Sequence, residues 1–126
     1  MPTAGMKIGM LMLGVTDMNR SIAFYRDAMG LPVQFGSEEF TFLDAGGVTL
    51  VLQAHETLPP TDEGLRTEVV FPVEDIEAAY GTLRERGVAF RIAPRIVTGD
   101  KLAADFRDPD GHVLSIFGPK RALRAP

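Results

Sequence analysis

Glu68-Val69-Val70-Phe71-Pro72-Val73-Glu74-Asp75-Ile76 decides the fold, because it rewrites Met10-Leu11-Met12-Leu13-Gly14-Val15-Thr16-Asp17-Met18. Val15 matches Val73, Asp17 matches Asp75 and Met18 matches Ile76, each pair 58 residues apart. A repeat on this scale means one supersecondary unit used twice. Each copy reads as a strand, an Asp suited to capping free backbone N–H groups, and a helix.

Working outward, the helices keep the spacing of one buried face. The first carries Met18, Ile22, Tyr25 and Met29 and stops at Gly30; the second carries Ile76, Ala79, Tyr80 and Leu83 and stops at Gly87. These patterns predict helices over Met18–Met29 and Ile76–Arg86. Three short β runs follow each helix. They are Val33–Phe35, Glu39–Asp44 and Val48–Ala54 in the first half, and Val88–Ile92, Lys101–Arg107 and His112–Phe117 in the second. Ala45-Gly46-Gly47 and Asp108-Pro109-Asp110-Gly111 suit tight turns. The chain is thus expected to be α+β, one domain of two β-α-β-β-β modules: module one over 6–54, a Pro-containing linker over 55–66 and module two over 67–118.

Composition sets outer limits. The chain has 126 residues, 45% hydrophobic and 24% charged, an ordinary globular balance. A net charge of −4 gives no basic footprint for nucleic acid or an anionic membrane. There is no cysteine, which excludes disulfides, zinc–thiolate sites and cysteine nucleophiles. The apolar run Met6–Val15 is short and leads straight into the helix start, so it reads as a buried first strand rather than a signal peptide. A cytoplasmic protein without membrane spans is the expectation.

Val15-Thr16-Asp17-Met18-Asn19-Arg20-Ser21-Ile22-Ala23-Phe24-Tyr25, followed by Gly30-Leu31, resembles the first module of the vicinal oxygen chelate superfamily, which holds glyoxalases, bleomycin-resistance proteins and extradiol dioxygenases. Phe71-Pro72-Val73-Glu74-Asp75-Ile76-Glu77-Ala78-Ala79, Gly87-Val88 and Asp108-Pro109-Asp110-Gly111-His112 resemble its second module. The resemblance implies that the two modules form an open, cup-shaped sheet, that metal-bearing members hold their ion inside it, and that others bind a ligand without metal, often as dimers. It places the metal-ligand positions at Met10, Gln53, Glu68 and Ser115. Thioether is a soft ligand, amide and hydroxyl oxygens are weak neutral donors, and one carboxylate does not make a catalytic metal site. No metal and no cofactor are expected. His55 falls past the end of the fourth strand, beside the linker, and His112 in a turn.

Strand alternation extends the list of cup residues. Met10, Met12, Phe40, Phe42, Val70 and Phe117 are expected to line it, with Gln53, Glu68, Asp105, Arg107 and Ser115 as its polar groups. Apolar walls with a few polar groups suit a small organic ligand. The first functional expectation is a metal-independent binding protein, a homodimer that sequesters an aromatic or cationic compound such as an antibiotic. In it Glu68 and Asp105 meet positive or hydrogen-bond-donating groups. The alternative is an enzyme, with Glu68 as a general base or an atypical metal ligand. That enzyme is of the lyase, isomerase or dioxygenase type, and the version with an atypical metal site is the third reading. The bland alternative to all three is a cup filled completely by its own side chains.

Overall fold

The computed structural model describes residues 8–58 and 68–120. Met6 and Lys7 of the expected first strand, residues 59–66 of the expected linker and Thr67 lie outside the described residues. The chain divides into two units, Met1–Pro59 and Pro60–Pro126.

In the first unit β1 (Met10–Val15) leads into α1 (Met18–Ile22), then β2 (Val33–Gly36), β3 (Phe40–Asp44) and β4 (Thr49–Ala54). Asp17 caps α1, its carboxylate accepting from the Arg20 N–H at 3.1 Å. The expected helix to Met29 is present only in part as α-helix. Ala23–Ala28 form a π-helical turn, in which Met29 N–H donates to the Phe24 carbonyl at 3.0 Å. A π turn takes an extra residue into each hydrogen-bonded ring, so no residue pattern of 3.6 period announces it. Gly30 then ends the helix with φ of 80°, as its position predicts.

The sheet order is β1-β4-β3-β2. β1 runs parallel to β4, and the other pairs are antiparallel. Parallel partners need a crossover, which the helix supplies. That helix covers one face of the sheet: Leu13, Val15, Leu43, Leu50 and Leu52 are buried beside Tyr25, which is fully enclosed. Each such side chain contributes about 1.5–3 kcal/mol by leaving water.

The second unit repeats the plan with β5 (Glu68–Pro72), α2 (Ile76–Glu85), β6 (Phe90–Thr98), β7 (Lys101–Arg107) and β8 (Val113–Pro119), in the order β5-β8-β7-β6. Asp75 caps α2, accepting from Glu77 and Ala78 N–H groups at 3.2 and 3.4 Å. Ile76, Leu83, Phe106, Leu114 and Ile116 form its core. The Phe90 ring packs between Tyr80 and Phe106 at 4.7 and 5.0 Å. Asp108 is buried, and its carboxylate accepts from the N–H groups of Asp110 at 3.0 Å and His112 at 2.8 Å, which locks the turn before β8.

Two strands depart from expectation. β1, expected to be buried, is exposed at Leu11 near its start, and at Met10 and Met12 because the helix covers only the face that carries Leu13 and Val15. The run predicted to end at Ile92 continues as β6 to Thr98, across Pro94. β6 is the edge strand, where proline withdraws no ladder donor that matters, and its pairing with β7 shifts register between Ile92 and Arg95.

Two glycines give opposite expectations. A Cβ on Gly118 would overlap the Val73 carbonyl oxygen, in a contact tied by the Val73 N–H donating to Phe117 O at 2.8 Å. Gly118→Ala should therefore cost about 1–3 kcal/mol, read as a lower urea midpoint with unchanged slope. Gly81 lies in the interior of α2 with nothing near its Cβ position. Gly81→Ala should raise stability by about 0.5–1 kcal/mol in the same titration.

Candidate functional site

The helix takes one face of the first sheet and leaves the other open. Register places Met12, Val51, Phe42 and Phe35 in one row across it, with Gly14, Gln53 and Phe40 in the next. Met10, Met12, Phe40, Phe42 and Gln53 therefore share this face. Met10 is 55% and Met12 51% exposed, whereas Val51 beneath them is buried. The Phe42 ring meets Phe35 edge-on, centroids 5.8 Å apart at 67°, and Phe40 at 6.4 Å. The row from Met12 to Phe35 contains no polar side chain.

Phe35, 62% exposed, is the largest group that sequence reading left out of this face. Plain alternation puts Val33 and Phe35 on the same side. In the structure Val33 pairs with Leu43 and Phe35 with Phe42, with a register shift between them. The bulge sends Val33 to the helix side and Phe35 to the open one. Bulges leave no residue signature of their own, so only the pairing reveals it.

On the second sheet the corresponding rows are Glu68, Val113 and Arg107; Val70, Ser115, Asp105 and Ile92; and Pro72, Phe117, Ala103 and Arg95. Glu68, Arg107, Ser115, Asp105 and Phe117 thus stand on one face of this sheet too. Two of these polar groups are already engaged. Arg95 Nη2 lies 3.7 Å from the Asp105 carboxylate, and Arg95 Nη1 donates to Ala103 O at 3.2 Å. Arg107 Nη1 donates to Gly111 O at 2.9 Å. The cation facing Asp105 therefore comes from the chain itself. Arg95 was missed because it lies beyond the predicted end of its strand. Ser115 is buried, and Glu68 is half-buried at the start of β5.

The donor set at the family's ligand positions does not fit a hard divalent ion. It consists of the Met10 thioether, the Gln53 amide, the Ser115 hydroxyl and the Glu68 carboxylate. Among the described residues no group of three or more His, Cys, Asp or Glu side chains stands together in a way that could hold a metal.

A separate groove of about 620 Å³ lies on the helix side of the first unit, between α1 with its π turn and the β2–β3 hairpin. Several of its polar groups serve the fold. Asp17 caps the helix and the Thr41 hydroxyl donates to the Met18 sulfur at 3.3 Å. Arg26 donates to Asp27 at 2.8 Å, a bond that holds the Asp27 carboxyl below and the Arg26 guanidinium above their ordinary ranges. Both side chains are exposed, so the pair is screened by water.

Residues 7–116 match the model of the Glyoxalase/Bleomycin resistance protein/Dioxygenase superfamily. An uncharacterized protein of Bacillus subtilis, YraH, is 30% identical over 125 residues, covering 89% of this chain and 98% of the relative. The metallothiol transferase FosB of Staphylococcus haemolyticus is 30% identical over 105 residues, covering 81% of this chain and 76% of the relative. Among solved structures, TnmS3, an antibiotic binding protein from Streptomyces sp. CB03234, superposes with a TM-score of 0.76 at 25% identity, covering 94% of this chain and all of that one. A glyoxalase/bleomycin resistance protein/dioxygenase from Nocardioides gives 0.77 at 21%, covering 99% and 91%. Among the described residues no helix is long and apolar enough to cross a membrane.

The donor set yields a direct expectation. Zinc, iron(II), nickel or manganese added to the purified protein should leave its melting temperature unchanged, because a ligand stabilises only what it binds. Thermal scans with and without metal, and metal analysis after dialysis, check this. About one tightly held ion per chain, lost in Glu68→Gln, would contradict it.

Proposed function

Because the chain belongs to the glyoxalase/bleomycin resistance protein/dioxygenase superfamily, we propose that it is a metal-independent binding protein for a small aromatic compound, acting by sequestration. The observation that carries the reading is the row Met12, Val51, Phe42 and Phe35: thioether, aliphatic and aromatic side chains with no polar group among them, more than half exposed at Met12 and Phe35, half-buried at Phe42 and buried at Val51. Burying that surface against a flat ligand removes apolar area from water, and the two edge-on phenyl rings add ring–ring attraction. Met10 and Met12 are unbranched and adapt to irregular ligand shapes. The second unit's sheet carries its own candidate ligand-contacting face, with Glu68, Asp105 and Ser115 as polar groups and Val70 and Phe117 as apolar ones. The likeness to an antibiotic binding protein supports it. A protein working this way needs no cofactor, nucleic acid or membrane, and acts in the cytoplasm as one two-module domain.

The likeness to a metallothiol transferase favours a second reading, an enzyme with Glu68 as general base or atypical ligand. The donor set argues against the metal version of it. Turnover lost in Glu68→Gln with ligand binding kept would move this reading first.

We further propose a twofold homodimer, the commonest solution for a chain with exposed apolar sheet surface. A monomer mass in light scattering at tens of micromolar would count against it.

Native mass spectrometry of protein taken from its own host, searching for a co-purified small molecule, tests the binding reading. A simpler probe is naphthalene, whose fluorescence is readable because the chain has no tryptophan. Phe35→Ala, on an exposed edge strand, should leave the fold intact and weaken naphthalene binding roughly three- to tenfold. Equal affinity in both proteins would remove this face from the site.

A further inference from the structure

His55 follows the last residue of β4, and its N–H donates to Val15 O at 2.8 Å, carrying the β1–β4 ladder one residue beyond Ala54. Alternation therefore keeps His55 on the side of Gln53 and Val51, the open side. The ring's position agrees. A Cβ built on Gly14, which belongs to the Met10–Met12 side of β1, would lie 3.1 Å from His55 Cδ2 and 3.5 Å from Nε2, with Leu58 Cδ2 at 2.8 Å. The imidazole lies on the bare backbone at Gly14, in the space any larger residue would fill. Its Cδ2–Nε2 edge is against the strand, which leaves Nδ1 on the far edge. Among the described residues neither ring nitrogen makes a hydrogen bond. Gln53 and Phe40 complete this row of the sheet, next to the aromatic row.

We infer that His55 is the hydrogen-bonding group of the first sheet's open face, and that with Gln53 it selects aromatic ligands bearing a hydroxyl group, a phenol or naphthol. The inference rests on the proposed aromatic site and gives it a ligand class. A neutral imidazole offers one donor and one acceptor, and an amide offers both, so the pair satisfies a hydroxyl that both donates and accepts a hydrogen bond. The apolar row beside it takes the ring. Gly14 is a positioning residue: it contributes no group of its own and holds open the place in which the imidazole rests.

The test compares 2-naphthol with naphthalene by fluorescence titration of the whole chain. Wild-type protein should prefer 2-naphthol about five- to tenfold, the effect of one net hydrogen bond. His55→Phe, at an exposed position, should abolish that preference. His55→Gln should restore part of the preference. Gly14→Ala should reduce it by displacing the ring. The Hε1 resonance of His55 should move on adding 2-naphthol and that of His112, the second histidine of the chain, should not. A preference that survives in His55→Phe overturns the inference. So does wild-type protein that binds naphthalene with no preference for the naphthol, and in that case the aromatic site itself stands. Binding of neither compound overturns the aromatic site and the inference together.

Discussion

Everything in this chain depends on parallel pairing of the first and last strand in each unit, β1 with β4 and β5 with β8. Two strands running the same way cannot be joined by a tight turn, so the chain must cross over, and it crosses as a helix. One helix per four strands is enough to cover one face and no more. Leu50 and Leu52 are buried under it, while on the other side Met10 and Met12 stay more than half exposed. The open face is thus a consequence of connectivity, before any question of ligands arises. The same arithmetic applies to β5–β8, where Val70 stays exposed and Leu114 and Ile116 do not.

What the sequence made legible follows from that plan. The repeat, the capping Asp17 and Asp75, the stops at Gly30 and Gly87 and the helix-side face of β4 all rest on local rules with short periods, and the structure has them. What it hid involves departures from a period. The π turn over Ala23–Ala28 changes the number of residues per turn. The shift between Val33 and Phe35 changes which face an aromatic ring reaches. β6 runs past Ile92 because an edge strand tolerates Pro94 and broken register, and so Arg95 arrives beside Asp105 unannounced. His55 looked like the beginning of a linker because nothing local says that a ladder continues one residue further; the Val15 carbonyl, forty residues earlier in the chain, decides it.

The chemistry of the open faces bears on how members of one superfamily diverge. A metal site needs several strong donors in fixed geometry, and each is costly to bury without its ion. Thioether, amide and hydroxyl groups, such as those of Met10, Gln53 and Ser115, carry less of that cost. The remaining charges of the second sheet are largely tied to their own chain, Asp105 by Arg95 and Arg107 by the Gly111 carbonyl.

The bulge in β2 carries a consequence for how such a surface changes over generations. β2 is an edge strand, bonded only to β3. A slip of one residue there disturbs a single row of partners, whereas in β4, bonded on both sides, it would turn the whole interior outward. Insertions and deletions of one residue near Gln34 are therefore a low-risk way to exchange which side chains the open face presents. Phe35 stands on that face by such an offset, and Val33 is kept from it by the same offset. The edge of the sheet behaves as an adjustable selvage on a woven cloth whose centre cannot be rewoven.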